Sequence, residues 1–250
     1  MEGGFARMTV DAKVFLDKIQ SLLDHLYESQ KDVIEETAQL MARCIENDGV
    51  VHVFGSGHSV GLAIDISLRE GSLVPVHIIE NADAVILGEF TLEEFTDKVN
   101  KFERRQGVAQ YFYNLYDIRE NDIFFVISNS GINGVGIDFA MLAKENGHKV
   151  IVITSMEHTL AEASRHPSGK KLYMLGDVVI DNCGPHGDAL LPTNGIEKVS
   201  SVSSICNNAV AQMAAVRTVE ILKEHGYNPP VLTGDEAHDR ELKEHYKGRI

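Results

Sequence analysis

The sequence predicts an α/β fold, a doubly wound five-stranded parallel sheet flanked by helices, with an N-terminal helical arm. Five short apolar runs are mostly continuous rather than alternating, as in strands that are buried on both faces. Helical patterns lie between several of these runs, which indicates β-α-β units and parallel pairing. The first and third runs each lead into a loop rich in glycine and serine that opens a helix.

Residues 1–48 are the predicted helical arm. Apolar residues recur at helical spacing between Thr9 and Asp48, and the polar segment Glu28–Gln30 interrupts the pattern. We therefore expect a pair of helices with a corner at this segment. Asp48 and Gly49 are typical of a helix end, because glycine readily adopts a left-handed backbone conformation.

Residues 49–226 are the predicted main domain. Residues 81–121 are too long for a simple connection and carry helical patterning, which predicts a helical insertion. Residues 227–250 are a predicted charged tail. The predicted strands of the domain are Val50–Phe54, Val74–Ile79, Ile123–Ile127, Val150–Ile153 and Val178–Ile180. Its clearest predicted helices are Val60–Arg69, Val135–Asn146 and Ser203–His225.

Composition and charge exclude several classes of function. The chain of 250 residues has a formal net charge of −14, which disfavours binding to the phosphate backbone of nucleic acids. Its longest apolar stretch, Ile205–Leu222, is interrupted by polar residues, so no membrane span is predicted. Three widely spaced cysteines and an N-terminus without signal-peptide features predict a reduced, cytoplasmic protein. A small anionic ligand remains compatible with this charge, because backbone N–H groups at a helix N-terminus can hold phosphate.

Two loops carry the clearest chemical signal. Gly55–Gly61 follows the first predicted strand, and Ser128–Gly134 follows the third. Each loop combines glycines, which let the backbone approach an anion closely, with hydroxyl groups at a helix start. Ligands of open α/β sheets lie beyond the carboxyl ends of the strands, so both loops are expected at one edge of the sheet. The alternative is that their polar side chains only cap helices.

These two segments, strand–Gly-Ser-Gly-His-Ser–helix and strand–Ser-Asn-Ser-Gly–helix, resemble the sugar isomerase (SIS) domain, and most of all its phosphoheptose isomerase branch. The resemblance extends over roughly Thr9 to His225 and implies that the serine-rich loops bind a phosphosugar. Asn133 stands where many relatives have threonine, which keeps a hydrogen-bonding side chain at the helix start. Together, the loops and the resemblance give as candidate phosphosugar-binding residues Ser56, Gly57, Ser59, Ser128, Asn129, Ser130, Gly131, Asn133, Ser203 and Ser204.

The resemblance also implies a catalytic carboxylate after the first loop, and Glu70 lies in that region, 11 residues beyond Ser59. Moving a carbonyl between two sugar carbons through an enediol requires a base that removes a proton from carbon. The alternative is that Glu70 only pairs with Arg69 at the surface. His58 and His186 are candidate acids for ring opening, because imidazole titrates near neutral pH. His186 can come from the same chain or from a partner subunit.

Cofactor sites receive little support from the sequence. Cys183 and His186 have the spacing of metal ligands, but no second Cys/His pair accompanies them, so neither a metal nor another cofactor is expected. A dinucleotide site is an alternative, since Glu80 ends the second strand as in Rossmann folds. The loop from Gly55 to Gly61 is one residue longer than the dinucleotide fingerprint, which counts against it.

The sequence therefore predicts a phosphosugar-binding protein that catalyses aldose–ketose isomerisation. Two alternatives stay open: a non-enzymatic sugar-phosphate sensor that acts through a protein partner, and an etherase or lyase that begins with a similar proton abstraction. A sensor would need the serine loops but not Glu70. The helical arm and the final helix present more apolar surface than one sheet layer needs, so a homodimer is expected.

Overall fold

The computed structural model of the chain describes residues 10–99, 101–193 and 197–250. In chain order, its helices are α1 (Ala12–Glu46), α2 (Val60–Asp65), α3 (Asp83–Ile86), α4 (Leu92–Thr96), α5 (Ala109–Leu115), α6 (Gly134–Glu145), α7 (Met156–Ala161), α8 (Ser203–Glu224) and α9 (Glu236–His245). Its strands are β1 (Val51–Gly55), β2 (Val76–Ile79), β3 (Ile123–Ile127), β4 (Lys149–Thr154), β5 (Val178–Asp181), β6 (Ala189–Pro192) and β7 (Lys198–Ser201).

Strands β1 to β5 form one parallel sheet in the order β2-β1-β3-β4-β5, which confirms the predicted fold class. Chain order reverses between β1 and β3, since β2 lies on one side of β1 and the later strands lie on the other. In doubly wound folds such a switch point opens a crevice beyond the carboxyl ends of the strands. The fold therefore places the predicted loops on both sides of a crevice.

Each strand buries side chains on both faces of the sheet, which explains the continuous apolar runs. Val53 and Phe125 belong to the core under α1, α2 and α8. Their neighbours Phe54, Phe124 and Val126 belong to the core under α5 and α6. The alternation follows from the two-residue period of a strand, so the sheet is the middle of three layers.

The predicted pair of N-terminal helices is wrong, because α1 is a single helix that continues through Glu28–Gln30. Leu26 and Ile34, on the two sides of that segment, are both buried, so one apolar face packs from Ile19 to Ile45 against α8 and the sheet. The Ser29 hydroxyl donates a hydrogen bond to the carbonyl of Leu26 and leaves the helix unbroken. Tertiary burial has overridden the weak helix propensity of serine here.

Two of three segments differ from their predicted form, and the insertion is helical as predicted. Helix α2 ends at Asp65 rather than Arg69, because Leu68 adopts a positive φ of 53° and turns the chain. The predicted insertion contains the short helices α3 to α5, which pack aromatic side chains on the sheet. The predicted loop before α8 contains an antiparallel pair, β6 and β7.

The charged tail is anchored to the body of the molecule. Tyr246, just after α9, is 2% exposed and packs with Val50 and Val74. Arg249 donates to the carboxylate of Asp122 at 2.6 Å, and both side chains are buried. Within the described residues, no helix has the length and apolar character that a membrane span requires.

Candidate functional site

The two serine loops leave the sheet side by side. Gly55, the last residue of β1, is paired with Ile127, the last residue of β3, so both loops start at the same level of the sheet. The structure thus brings together the loops that the sequence predicts to converge.

A cavity of about 440 Å³ opens between these loops and the start of α8. Its volume lies in the range of small-molecule sites, roughly 300–1,000 Å³. Nine of the predicted residues line it: Ser56, His58, Ser59, Ser128, Asn129, Ser130, Asn133, Ser203 and Ser204. Gly57 lines an adjoining cavity of about 300 Å³ that shares Ser56 with the first.

Hydrogen bonds and backbone geometry fix the second loop. The Ser128 hydroxyl accepts the N–H of Gly131 at 3.1 Å, and the Asn129 carbonyl accepts the N–H of Ser155 at 3.0 Å. Gly131 has a φ of +63°, and a Cβ at this position would lie 2.8 Å from the Thr154 hydroxyl. Glycine is required here because the backbone is left-handed and there is no room for a side chain.

Helix α6 begins at the cavity without a side-chain cap. Asn133 is its N-cap residue, but its side chain accepts no backbone N–H; its Oδ1 accepts a hydrogen bond from Arg165 Nη1 at 2.8 Å. The first N–H groups of a helix have no intrahelical partner and carry its positive dipole end, which favours an anion near this position. Among the described residues, the hydroxyls of Ser56, Ser59 and Ser130 have no hydrogen-bond partner either. The capping alternative therefore does not describe these side chains.

Several charged groups in the cavity were not predicted from the sequence. Three cations, Lys101, Arg104 and Arg165, line it together with the carboxylates of Glu103 and Asp188. The chain as a whole has a formal net charge of −14, yet in this cavity the cationic side chains outnumber the carboxylates. These residues lie in the insertion and in the segments after β4 and β5, far from either loop in sequence. The general rule that sites collect beyond the carboxyl ends of strands is the one signal that pointed to those segments.

The start of α8 is fixed by Asp188, which has a positive φ of 70°. Its carboxylate accepts the N–H of Ser203 at 2.7 Å and the Ser203 hydroxyl at 2.8 Å. The Ser203 hydroxyl is therefore already hydrogen-bonded to Asp188, whereas the neighbouring Ser204 is exposed at the cavity.

The predicted base Glu70 does not line the cavity. It is exposed on the segment that leads into β2, where its carboxylate lies against Gly234 of the C-terminal segment. The carboxylate that does reach the serine loops is Glu103, whose Oε2 would lie 3.1 Å from a Cβ at Gly57. No sequence pattern pointed to Glu103, because it lies in a single turn of 3-10 helix within the insertion.

The two predicted acids have different surroundings. His58 is exposed at the cavity. His186 lies outside the cavity lining, with its Nε2 3.0 Å from the Glu162 carboxylate and its ring next to that of His158, at a centroid distance of 4.9 Å. His158 itself lines the cavity, and burial together with nearby His186 holds its pKa below the ordinary value.

Comparison with known proteins gives a consistent result. A family model for the SIS domain matches residues 14–155. A UPF0309 protein of Listeria monocytogenes is 38% identical over 218 residues, which cover 87% of each chain. A UPF0309 protein of Geobacillus kaustophilus is 35% identical over 242 residues, which cover 94% of each chain. The solved phosphoheptose isomerase GmhA of Neisseria gonorrhoeae matches with a TM-score of 0.53 at 17% identity, over 82% of this chain and 95% of that one, and so has the same fold.

Proposed function

The chain belongs to the SIS domain family, and from this membership we propose that its cavity binds a phosphosugar. One observation carries the proposal. Serine hydroxyls without a hydrogen-bond partner line the same cavity as Asn133, the N-cap residue of α6, and this helix has no side-chain cap. Hydroxyl groups, helix N–H groups and nearby cations are the donors that proteins use for phosphate. Arg165, held by Asn133 at the start of α6, supplies the cation beside that position.

We further propose that the protein isomerises the bound sugar between aldose and ketose forms through an enediol. Phosphate held by the second loop would fix the sugar, and positioning of this kind contributes much of the rate of such reactions. Two carboxylates of this chain line the cavity, and that of Asp188 is already bonded to the start of α8, so we assign the role of base to Glu103. His58, which also lines the cavity, is the candidate proton donor to the ring oxygen. Glu70 keeps its predicted role only if a second copy of the chain brings it to the cavity.

Binding is tested by a thermal-shift panel of hexose, heptose and N-acetylhexosamine phosphates, with the matching free sugars and NAD(P) as controls. A ligand at a hundred times its dissociation constant stabilises by about 2.7 kcal/mol, or roughly 5–10 °C for a chain of this size. We expect at least one sugar phosphate, and not its free sugar, to give such a shift. A shift with NAD(P) alone would instead support the dinucleotide alternative, and no shift with any sugar phosphate would refute the proposal.

Catalysis is tested with the sugar phosphate that binds, by NMR detection of deuterium exchange from D₂O at the carbon next to the carbonyl. We expect exchange in the wild type and its loss in Glu103→Gln, with binding retained in the variant. Loss in Glu70→Gln alone would move the base to Glu70. Binding without exchange would favour the sensor, and release of a lactyl group from a suitable ether would favour the etherase.

We also propose that the chain forms a homodimer through the outer faces of α1 and α8. These helices border a groove of about 440 Å³ in which Tyr27 and Val216 are 51% and 61% exposed. Exposed apolar surface of this kind is typical of subunit contacts. Light scattering is expected to give twice the mass of one chain, and Val216→Glu to give one chain mass. Leu160→Glu, at a 59% exposed residue of α7, is the matched control and is expected to leave the dimer intact.

We also propose that the protein works in the cytoplasm, as its three widely spaced cysteines predict.

A further inference from the structure

Two imidazoles and a carboxylate converge at the rim of the cavity. His158 and Glu162 are four residues apart, in α7 and at its C-terminal end, and His186 comes from the loop after β5. One ligand atom from each of the three side chains lies within 4.8 Å of the other two. Within the described part of the chain, this is the one group of three or more such side chains that could hold a metal ion. We propose that these three residues bind one divalent transition-metal ion, with Zn²⁺ as the preferred ion.

The donor set fits this ion. Two histidines and one glutamate are a ligand combination of catalytic zinc sites, in which the fourth position is left open. Three ligands at zinc distances of about 2.0–2.1 Å in a tetrahedral array lie about 3.4 Å apart. The Glu162 carboxylate and His186 Nε2 are already at 3.0 Å. A metal would replace the proton that His186 Nε2 shares with this carboxylate, the proton being released to solvent, and the His158 ring would then have to approach both groups.

The two segments that carry these ligands are held together by other hydrogen bonds. The Ser155 hydroxyl accepts the N–H of His158 and donates to the carbonyl of Gly184 at 2.6 Å, which joins α7 to the loop of His186. The Glu157 carboxylate accepts the N–H of His186 at 2.9 Å. Because these bonds do not use the proposed ligand atoms, the loop is positioned before any metal arrives. Such support is what orients ligands in established metal sites.

The protonation states also suit a metal. A metal ligand must be a neutral imidazole or an ionised carboxylate. His158 Nδ1 accepts a hydrogen bond, so this nitrogen carries no proton. His158 Nδ1 accepts the N–H of Gly187 at 3.2 Å, a long contact that the ring can exchange for a metal while it keeps a proton on Nε2.

The position of the site indicates what the ion would reach. His158 lines the main cavity, whereas Glu162 and His186 are not among the residues that line it. A metal held by these three residues would therefore lie beside the cavity. The metal test does not depend on the proposed sugar chemistry, since none of the three ligands belongs to the serine loops.

The test is a zinc titration of the chelator-treated, full-length protein in competition with a chromophoric chelator, without any sugar. We expect one Zn²⁺ per chain. His158→Ala, Glu162→Gln and His186→Ala should each weaken binding by more than the roughly 10–100-fold that outer-shell residues contribute. His225→Ala is the matched control, because His225 is an exposed histidine that pairs with a carboxylate, that of Glu46, elsewhere in the chain.

Co²⁺ provides a second readout that does not depend on affinity. We expect the visible absorption of low-coordinate Co²⁺ in the wild type and in His225→Ala, and its loss in the conservative variant Glu162→Gln. Stoichiometric binding that survives in all three ligand variants would overturn the proposal, as would a wild type that binds no Zn²⁺ at micromolar concentration. Either failure leaves the phosphosugar proposal standing, because the panel of sugar phosphates tests that cavity separately.

Discussion

Arg165 is a residue whose role depends on the fold rather than on its neighbours in sequence. It follows α7, yet its side chain reaches Asn133 at the start of α6, and its own N–H donates to the carbonyl of Ile132. A guanidinium held at an uncapped helix N-terminus is suited to bind phosphate with two parallel hydrogen bonds.

Arg165→Gln is therefore expected to weaken sugar-phosphate binding. Hydrogen bonds to charged groups contribute about 1.5–3 kcal/mol, which corresponds to a loss of roughly 10- to 150-fold in affinity. Isothermal titration of the two proteins measures the difference. Arg119→Gln removes an exposed arginine that pairs with Asp117, and it should leave affinity unchanged. Equal affinities of Arg165→Gln and the wild type would exclude this arginine from the site.

Gly131 is constrained both by its backbone and by its surroundings. Gly131→Ala is expected to cost about 1–2 kcal/mol for the left-handed conformation and more for the overlap of its Cβ with the hydroxyls of Thr154 and Thr159. Gly147→Ala is the matched control, because Gly147 has a φ of +89° but no atom within 4 Å of a Cβ. Urea unfolding should show a larger loss for Gly131→Ala. Equal losses would mean that the loop has room for a side chain.

At the scale of elements, the sequence was a good guide wherever one local pattern determined the structure. The apolar runs located all five strands of the sheet, and the glycine–serine loops located one side of the cavity. The unbroken α1 could not be predicted, since the burial that carries it through Ser29 comes from α8 and the sheet. Lys101, Arg104 and Arg165 could not be predicted either, because only the fold brings their segments to the loops.

The continuity of α1 can be tested with proline. Ser29→Pro is expected to destabilise the protein by about 3 kcal/mol or more, because proline inside a helix removes a hydrogen bond and clashes with the preceding turn. Ala12→Pro is the control, since Ala12 is the first residue of α1, where proline is tolerated. Both are measured by urea unfolding. A Ser29→Pro protein as stable as Ala12→Pro would support the corner that the sequence predicts.

At the scale of the whole molecule, the C-terminal tail closes the end of the sheet opposite the cavity. Arg249 donates to Asp122, which also accepts the N–H of Val50 and contacts the ring of His52. The tail, β1 and the start of β3 thus share one buried carboxylate. Local unfolding of the tail should therefore weaken the sheet itself.

Arg249→Met is expected to destabilise the chain by about 3 kcal/mol, the low end of the range for breaking a buried ion pair, since Asp122 keeps its other donors. Lys247→Met removes an exposed cation paired with Glu244 and should change the stability by less than about 0.5 kcal/mol. Chemical denaturation compares the two variants. Similar values would mean that the tail is not part of the cooperative unit.

Acid should destabilise the molecule through histidines that are buried in the neutral form. Burial and nearby His52 lower the pKa of His77 to about 3, and burial also lowers the pKa of His148. The unfolded chain therefore binds more protons below about pH 6.5, and stability falls as the pH drops from that value towards 3. The decline is measured as the midpoint of urea unfolding at pH values from about 7.5 to about 4.5. This range brackets the ordinary histidine pKa of about 6.5.

His77→Asn should make that decline shallower, because the variant lacks one of the groups that resist protonation in the folded state. His245→Ala removes an exposed histidine and should leave the slope as in the wild type. A slope in His77→Asn equal to that of the wild type would show that acid acts elsewhere.

The central claim is that the cavity between the two serine loops binds sugar through its phosphate. The most direct measurement is isothermal titration of the wild type, Ser130→Ala and Ser21→Ala with the best sugar phosphate of the panel and with its dephosphorylated form. Ser21 is an exposed serine of α1, outside the cavity. We expect the wild type and Ser21→Ala to bind only the phosphorylated sugar, and Ser130→Ala to bind it more weakly. Equal binding of both sugars, or equal affinity in all three proteins, would contradict the claim.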